Sequence, residues 1–144
     1  MSITVLKNAT LSDGSRADIT IEGQMVTAIG SSLSPGIDCS GLIAMPAFVD
    51  VHTHLREPGF EASETVLSGT KSAAAGGYGA VMAMANTSPV ADHANVVEQV
   101  ASLGLASGFA FVQPIGAVTL GLAGSELSDI VAMNKSKARV TMFS

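Results

Sequence analysis

Charged residues are scarce in this sequence, and the shortage of positive charge excludes two classes of partner. Only 13% of the 144 residues are charged, whereas 47% are hydrophobic; a typical globular domain is about a quarter charged. The seven Lys and Arg are outnumbered by twelve Asp and Glu, which gives a net charge of −5. The cations form no stripe along the sequence. We therefore expect neither nucleic acid nor an anionic membrane as a partner.

Cysteine and long apolar runs are also scarce. The one cysteine, Cys39, cannot form an internal disulfide, which fits a reducing compartment and predicts a cytoplasmic protein. The longest uncharged stretches, such as residues 76–90, are interrupted by Gly, Asn and Pro and are too short to span a bilayer. The chain begins directly with a strand-like pattern, so no secretion signal is expected.

The first 44 residues have the pattern of a small β-domain. Short β-branched segments at 3–6, 17–21 and 24–29 are separated by clusters of Gly, Ser, Asp and Glu that favour turns. We predict an all-β region over residues 1–44.

From residue 45 onwards, apolar strands alternate with amphipathic helices. Strands are expected at 47–51, 79–85, 110–114 and 139–143, and helices at 64–75, 94–106 and 125–133. The strands recur about every 30 residues, which is the length of a βα unit, and continuous apolar strands are typical of a parallel sheet. This pattern fits either a small open α/β sheet or half of a (β/α)8 barrel, because a complete barrel needs about 250 residues.

Two of the three histidines lie at the end of the first strand of this region. His52 and His54 are two residues apart, so in a strand they point the same way, about 7 Å apart at the backbone. Suitable rotamers bring two such nitrogens to one metal at about 2.1 Å. The alternative is two unrelated surface or core histidines. The position at the polar end of an apolar strand favours a metal site, although zinc needs at least one more protein ligand.

An arginine and an asparagine follow the strands at the same expected edge. Arg56 would face the mouth beside the His pair and hold a substrate carboxylate with two hydrogen bonds. The alternative is a loop arginine paired with Glu57 or Glu61. Asn86, after the second strand, either binds a ligand or begins an Asx turn. The residues alone leave both alternatives open.

Three segments together resemble the amidohydrolase superfamily and, within it, the bacterial type I dihydroorotases. They are MPAFVDVHTHLREPG at 45–59, AMANTSP at 83–89 and VQPIGAVT at 112–119. The resemblance covers essentially the whole chain, and the first two segments are specific. Ala47 stands where the family usually has Gly, at a strand position that does not affect the chemistry.

This resemblance implies an α/β fold built as the first half of a TIM-like (β/α)8 barrel, over residues 45–144. Residues 1–44 would form part of a small β-sandwich that precedes the barrel. The implied reaction is the reversible ring closure of N-carbamoyl-L-aspartate to dihydroorotate in pyrimidine biosynthesis. In the hydrolytic direction, a zinc-activated water would attack the ring carbonyl.

The resemblance also implies a role for each candidate site residue. His52 and His54 would be ligands of the more buried of two zinc ions, and Arg56 and Asn86 would bind the substrate's α-carboxylate. The family's other metal ligands and its aspartate general base would follow Ser144. We therefore expect no catalytic base within these residues and no catalysis from this chain alone.

Two other functions remain as alternatives. A hydantoinase or allantoinase is similar around the His pair, although Arg56 favours a substrate with an anionic group. A non-catalytic, truncated homologue that acts as an assembly subunit is the alternative of a different class. The expected partners are a small-molecule substrate, the remainder of the enzyme or a second copy of the chain, and aspartate transcarbamoylase, with which some type I dihydroorotases associate.

A half-barrel would leave its inward-facing side chains in water. We expect six apolar residues to be exposed for this reason: Val49, Val51, Val81, Ala83, Phe111 and Val140. Because burial of a large side chain is worth about 1.5–3 kcal/mol, the isolated chain is expected to self-associate.

Overall fold

A computed structural model describes residues 2–144. The chain divides into two compact units, one that ends at Pro46 and one that comprises Ala47–Ser144. None of the helices in the described residues is long and apolar enough to cross a membrane.

The first unit is a five-stranded sheet in which three strands form an antiparallel meander. Its strands are β1 (Ile3–Leu11), β2 (Arg16–Glu22), β3 (Met25–Gly30), β4 (Ile37–Asp38) and β5 (Ile43–Ala44). The order is β3-β2-β1-β4, with β5 also paired to β1. β4 and β5 run parallel to β1. The three strands predicted from the sequence in this region therefore form.

The core of the first unit is small. Its buried cluster consists of Ala9, Ile19 and Cys39. An ion pair adds to it at the edge: Lys7 Nζ lies 2.7 Å from Asp18 Oδ2. The same carboxylate accepts the backbone N–H groups of Asn8 and Ser32, each at 2.9 Å. The Lys7 hydrogen bond, followed by these backbone bonds, lowers the pKa of Asp18 to about 2.

The second unit is a mixed α/β fold with a three-stranded parallel sheet of order β6-β7-β8. In chain order its elements are β6 (Phe48–Thr53), α1 (Val66–Ala75), β7 (Tyr78–Ala83), α2 (Ala94–Ser107), β8 (Phe111–Pro114), a short 3-10 helix (Leu120–Leu122) and α3 (Ile130–Lys135). Thr65 begins α1 with a reciprocal capping box, in which its side chain and that of Ser68 bond each other's backbone N–H.

The predicted strand at 139–143 is wrong. Phe143 forms an isolated parallel bridge to Gly116, with hydrogen bonds from Gly116 N to Met142 O at 3.1 Å and from Ser144 N to Gly116 O at 3.0 Å. The sheet of the described residues nevertheless stops at three strands. Arg139 has a φ of 47°, which lies in the left-handed region that interrupts an extended backbone. The prediction of four parallel strands is corrected accordingly.

The predicted helix at 125–133 is shorter than expected. Residues 126–128 instead pair with the segment before the 3-10 helix, because Ser128 N donates to Val118 O at 3.0 Å and Leu120 N to Glu126 O at 2.9 Å. The helix therefore begins at Ile130, and the Asp129 side chain caps it by accepting from Ala132 N at 2.8 Å.

One face of the parallel sheet is covered by helices, and the expected exposure was wrong for three residues. Val81, Ala83 and Val140 are buried, with exposed fractions of 1%, 4% and 0%. Val81 is in register with Asp50 and with Val112, so it lies on the side of the sheet that packs against α1 and α2.

The other face of this sheet carries apolar side chains that remain exposed, as expected. Val49, Val51 and Phe111 have exposed fractions of 55%, 59% and 62%. The register of β6 on β7 is irregular between Asp50 and Thr53. Such a bulge changes which side chains share a face, and it therefore reorients the end of β6.

Candidate active site

The candidate residues lie where two neighbouring parallel strands end. His52 is the penultimate residue of β6 and His54 follows the strand directly, whereas Asn86 is three residues beyond β7. The ladder continues past β7, since Met84 N donates to Thr53 O at 2.9 Å. These side chains therefore meet at the carboxyl edge of the sheet, which is the edge where open α/β sheets bind ligands.

The two imidazoles of the His pair face each other closely. His52 Nε2 and His54 Nε2 are 3.2 Å apart, with ring centroids separated by 5.1 Å. At this separation both Nε2 atoms could be ligands of one zinc ion at the usual zinc–nitrogen distance of about 2.0–2.1 Å. The donor set thus fits one shared zinc ion.

Asn86 fixes the second imidazole of the pair. Asn86 Oδ1 lies 2.8 Å from His54 Nδ1. A carbonyl oxygen only accepts, so Nδ1 carries the proton and Nε2 keeps the lone pair that a metal requires. Hydrogen bonds of this kind orient metal-ligating histidines. The amide nitrogen of Asn86 remains available as a donor.

The His pair alone does not complete a metal site. Within residues 2–144, no group of three or more His, Cys, Asp and Glu side chains converges. The nearby carboxylate of Asp50 accepts the backbone N–H of His52 at 3.0 Å, which ties down the irregular end of β6. These residues therefore supply two donors, and a zinc site needs at least one more from elsewhere.

Arg56 lies on the loop that follows β6 and has a strained backbone. Its φ is 63°, which is uncommon for a residue with a side chain and is often found at functional sites. Its carbonyl accepts Phe60 N at 2.9 Å, which closes a turn. The structure brings His52, His54 and Asn86 into contact, and Arg56 follows His54 by two positions along the chain.

The two carboxylates proposed as alternative partners of Arg56 bind backbone groups. Glu57 Oε2 accepts Val66 N at 2.7 Å, at the N-terminus of α1. Glu61 Oε1 accepts Gly59 N at 2.8 Å, and this hydrogen bond lowers the pKa of Glu61. Each carboxylate therefore has a structural role apart from Arg56, which weakens the loop ion-pair alternative.

A hydrogen bond links the two site loops directly, and the sequence did not predict it. Ser88 N, on the loop after β7, donates to Pro58 O, on the loop after β6, at 2.9 Å. The only signal in the sequence was that both segments are rich in Pro, Gly and Ser, which indicates turns but not that the turns touch.

The chain is similar in sequence to known proteins of one family. The dihydro-orotase-like family model matches residues 41–142. A dihydroorotase of Leifsonia xyli subsp. xyli is 57% identical over 144 residues, which cover 97% of this chain and 33% of that protein. A dihydroorotase of Streptomyces coelicolor is 53% identical over 148 residues, which cover 100% of this chain and 35% of that protein. The chain thus spans about a third of the length of these relatives.

Solved structures with the same fold carry a different name. An L-hydantoinase (dihydropyrimidinase) from Arthrobacter aurescens has a TM-score of 0.69 at 25% identity, over 83% of this chain and 28% of that chain. A dihydropyrimidinase from Brevibacillus agri has a TM-score of 0.60 at 27% identity, over 82% and 28% of the two chains. These structures share the fold. The family is shown by the match to the dihydro-orotase-like family model and by the relatives with higher identity. By these matches, the chain belongs to the dihydroorotase-like family.

Proposed function

We propose that this chain supplies a metal-binding His pair and part of the substrate site of a zinc-dependent cyclic amidohydrolase, a dihydroorotase. The reaction is the interconversion of N-carbamoyl-L-aspartate and dihydroorotate. The observation that carries the proposal is the 3.2 Å approach of His52 Nε2 and His54 Nε2, with Asn86 on the far nitrogen of His54. The 57% identity to a dihydroorotase supports the same substrate class.

Each of the candidate residues has one task in this proposal. His52 and His54 hold zinc through their Nε2 atoms, and the zinc, when bound, supplies a nucleophilic water at neutral pH. Arg56 binds the substrate carboxylate through its guanidinium, which matches that anion with two parallel hydrogen bonds. Asn86 accepts from His54 through Oδ1 and donates to the same carboxylate through its amide nitrogen.

The proposal extends to the architecture and setting of the complete enzyme. The parallel sheet of Ala47–Ser144 would be the first half of a TIM-like (β/α)8 barrel, and residues 1–44 part of a small β-sandwich. The general base, the other ligands and a second zinc would come with the remaining barrel strands. We place the enzyme in the cytoplasm, with its own remaining portion, a second copy or aspartate transcarbamoylase as protein partners.

A chimera tests the proposed function. This chain would replace the matching third of the Leifsonia xyli dihydroorotase, and dihydroorotate hydrolysis would be measured. We expect activity in the chimera, and a loss of more than about 100-fold in His52→Ala, because a ligand matters at least as much as the residues that orient it. His93→Ala is the matched control, since His93 lies at the start of α2. An inactive but folded and zinc-loaded chimera would contradict the proposal.

A hydantoinase remains the second candidate, because the L-hydantoinase structure matches the fold with a TM-score of 0.69. Arg56 favours the dihydroorotase, because a guanidinium matches a substrate that carries a carboxylate. We expect Arg56→Lys in the chimera to raise the KM for dihydroorotate about 10–100-fold, the equivalent of one lost charged hydrogen bond. Hydrolysis of hydantoin in preference to dihydroorotate would favour the second candidate.

A further inference from the structure

Two loops that carry the candidate site residues are joined to each other at one point. The loop after β6 contains Arg56 and Gly59, and the loop after β7 contains Asn86 and Ser88. The hydrogen bond from Ser88 N to Pro58 O, at 2.9 Å, crosses between them.

Gly59 brings the two loops closer than any other residue would allow. A Cβ atom at this position would lie 2.3 Å from Ser88 O and 2.5 Å from Ser88 Cβ. The nearest obstacle is backbone, which no side-chain rotation relieves, so the loops would have to separate by about 1 Å to reach ordinary contact. Gly59 also has a φ of 100°, a conformation that residues with a side chain rarely adopt.

The loop segment around this contact is held firmly on the Arg56 side. Phe60 N donates to Arg56 O at 2.9 Å, and Glu61 Oε1 accepts Gly59 N at 2.8 Å. Gly59 is therefore tied to the turn that begins at Arg56. The loop after β7 is also held, by hydrogen bonds from Thr87 N and Ala91 N to Ala85 O at 2.9 and 3.0 Å. A displacement forced between Gly59 and Ser88 therefore strains the segment that carries Asn86, two residues from Ser88.

The position of Asn86 matters because its contact with His54 is short and directional. The distance from Asn86 Oδ1 to His54 Nδ1 is 2.8 Å, and a displacement of about 1 Å takes such a pair beyond hydrogen-bonding distance. The close approach of Gly59 to Ser88 is thus a condition for the hydrogen bond that keeps the lone pair of His54 on Nε2.

We propose that Gly59 and Ser88 form an inter-loop latch that positions Asn86 against His54 and so tunes the metal affinity of the His pair. Gly59 and Ser88 are positioning residues, since they act only through Asn86. The latch rests on the proposed function for its effect on zinc, but its geometry is independent of it.

Gly59→Ala in the 144-residue chain tests the latch by two readouts that tolerate self-association. Hydrogen exchange followed by mass spectrometry reports the Ser88 amide, and equilibrium dialysis against zinc reports the affinity. We expect faster exchange in the peptide that contains Ser88, and a zinc Kd about tenfold higher, the lower end for loss of a residue that orients a metal ligand. Gly124→Ala is the matched control. Gly124 has a φ of 75° and nothing within 4 Å of an added Cβ, so it reproduces the backbone strain without the collision.

A double-mutant cycle separates positioning from general damage. Asn86→Ala alone is expected to weaken zinc binding as much as Gly59→Ala, and the double variant no further, because both remove the same hydrogen bond. If the two losses add in full, or if folded Gly59→Ala binds zinc within about twofold of the original chain, the latch is wrong.

Two further measurements are needed if Gly59→Ala does not fold or if the original chain does not bind zinc through His52. Should Gly59→Ala fail to fold, Ser88→Pro removes the donor and places a ring carbon against Pro58 O; unchanged zinc affinity in that variant overturns the latch. Absence of His52-dependent zinc binding in the original chain counts against the proposed function alone. An unprotected Ser88 amide in the original chain counts against the latch alone.

Discussion

The two faces of the β6–β8 sheet are built from alternate residues of the same strands, yet their surroundings differ completely. On the face covered by α1 and α2, Val81 and Val112 are 1% and 4% exposed; on the opposite face, Val51 and Phe111 are 59% and 62% exposed. The covered face therefore supplies the stability of this unit. The open face contributes little to it and keeps a large apolar surface in contact with water.

This difference shows that stability and association are encoded separately in one sheet. The covered face contributes Val81 and Val112 to one buried cluster, whereas a second cluster, around Val97 and Met133, lies outside the strands. Exposed apolar patches on the open face are typical of a surface that is covered by another protein surface. Within residues 2–144, β6 is an edge strand of its sheet, and the backbone groups of an edge strand favour association as well.

The largest expected contrast is in oligomeric state. We expect the purified 144-residue chain to sediment as a dimer or larger assembly, because the open face buries its apolar side chains only on association. The double variant Val51→Lys with Phe111→Lys should shift it towards monomer, whereas the same number of lysines at the exposed Ser31 and Ser34 should not. A monodisperse monomer of the original chain with cooperative unfolding would remove the distinction between the faces.

A matched pair of valine substitutions measures the stability contrast. Val81→Ala should lower the free energy of unfolding by about 2 kcal/mol, the value of two buried methyl groups with a cavity contribution. Val51→Ala, the same change on the open face, should stay within about 0.5 kcal/mol. Urea unfolding of both variants in the Val51→Lys, Phe111→Lys background checks this. Equal losses for the two would mean that the open face is buried in solution.

The fit between α2 and the covered face has a smaller but sharper test. A Cβ on Gly104 would lie 2.5 Å from Val112 Cβ. Overpacking of this kind costs about 1–3 kcal/mol, whereas the gain in helix propensity from Gly to Ala is about 1 kcal/mol. Gly104→Ala should therefore destabilise by about 1 kcal/mol. The loss should be smaller in a Val112→Gly background, where the Cβ that the added methyl group meets is absent. A stabilised Gly104→Ala would show that α2 lies farther from the sheet.

The smallest expected effect is electrostatic and lies in the first unit, at Asp18. The pKa of Asp18 falls from 3.8 to about 2 in the folded chain, so its stabilising contribution is complete above 3.8 and is lost as the pH falls towards 2. We expect Asp18→Asn to be less stable than the original chain at neutral pH, and the gap to close between these two pH values. Urea titrations across this range measure it; a gap that persists at pH 2 would contradict the assigned cause.

The sequence predicted those elements whose pattern is local and missed those that depend on register. The strand before His52 and the helix over 94–106 follow from continuous apolar runs and helical spacing, and both form. The strand at 139–143 does not form because the backbone of Arg139 is in the left-handed conformation, which cannot be predicted from the residue type. Val81 and Ala83 were assigned to the wrong face. Every position of β7 from Ala80 onwards is apolar, so no alternation of apolar and polar residues shows which side chains share a face.

In the candidate site, too, the local contact could be predicted and the contacts between distant residues could not. The spacing of His52 and His54 was enough to predict that their nitrogens converge. The contact of Asn86 with His54, and that of Ser88 with Pro58, join residues about 30 positions apart. They depend on the register of β6 and β7, which the sequence of a single chain does not specify.

Zinc equilibrium dialysis of the 144-residue chain tests whether His52 and His54 share one metal ion, as we propose. We expect one weakly bound zinc per chain that is lost in His52→Ala and in His54→Ala, and retained in His93→Ala. Equal zinc binding by all four proteins would place the metal elsewhere and rule out the shared site.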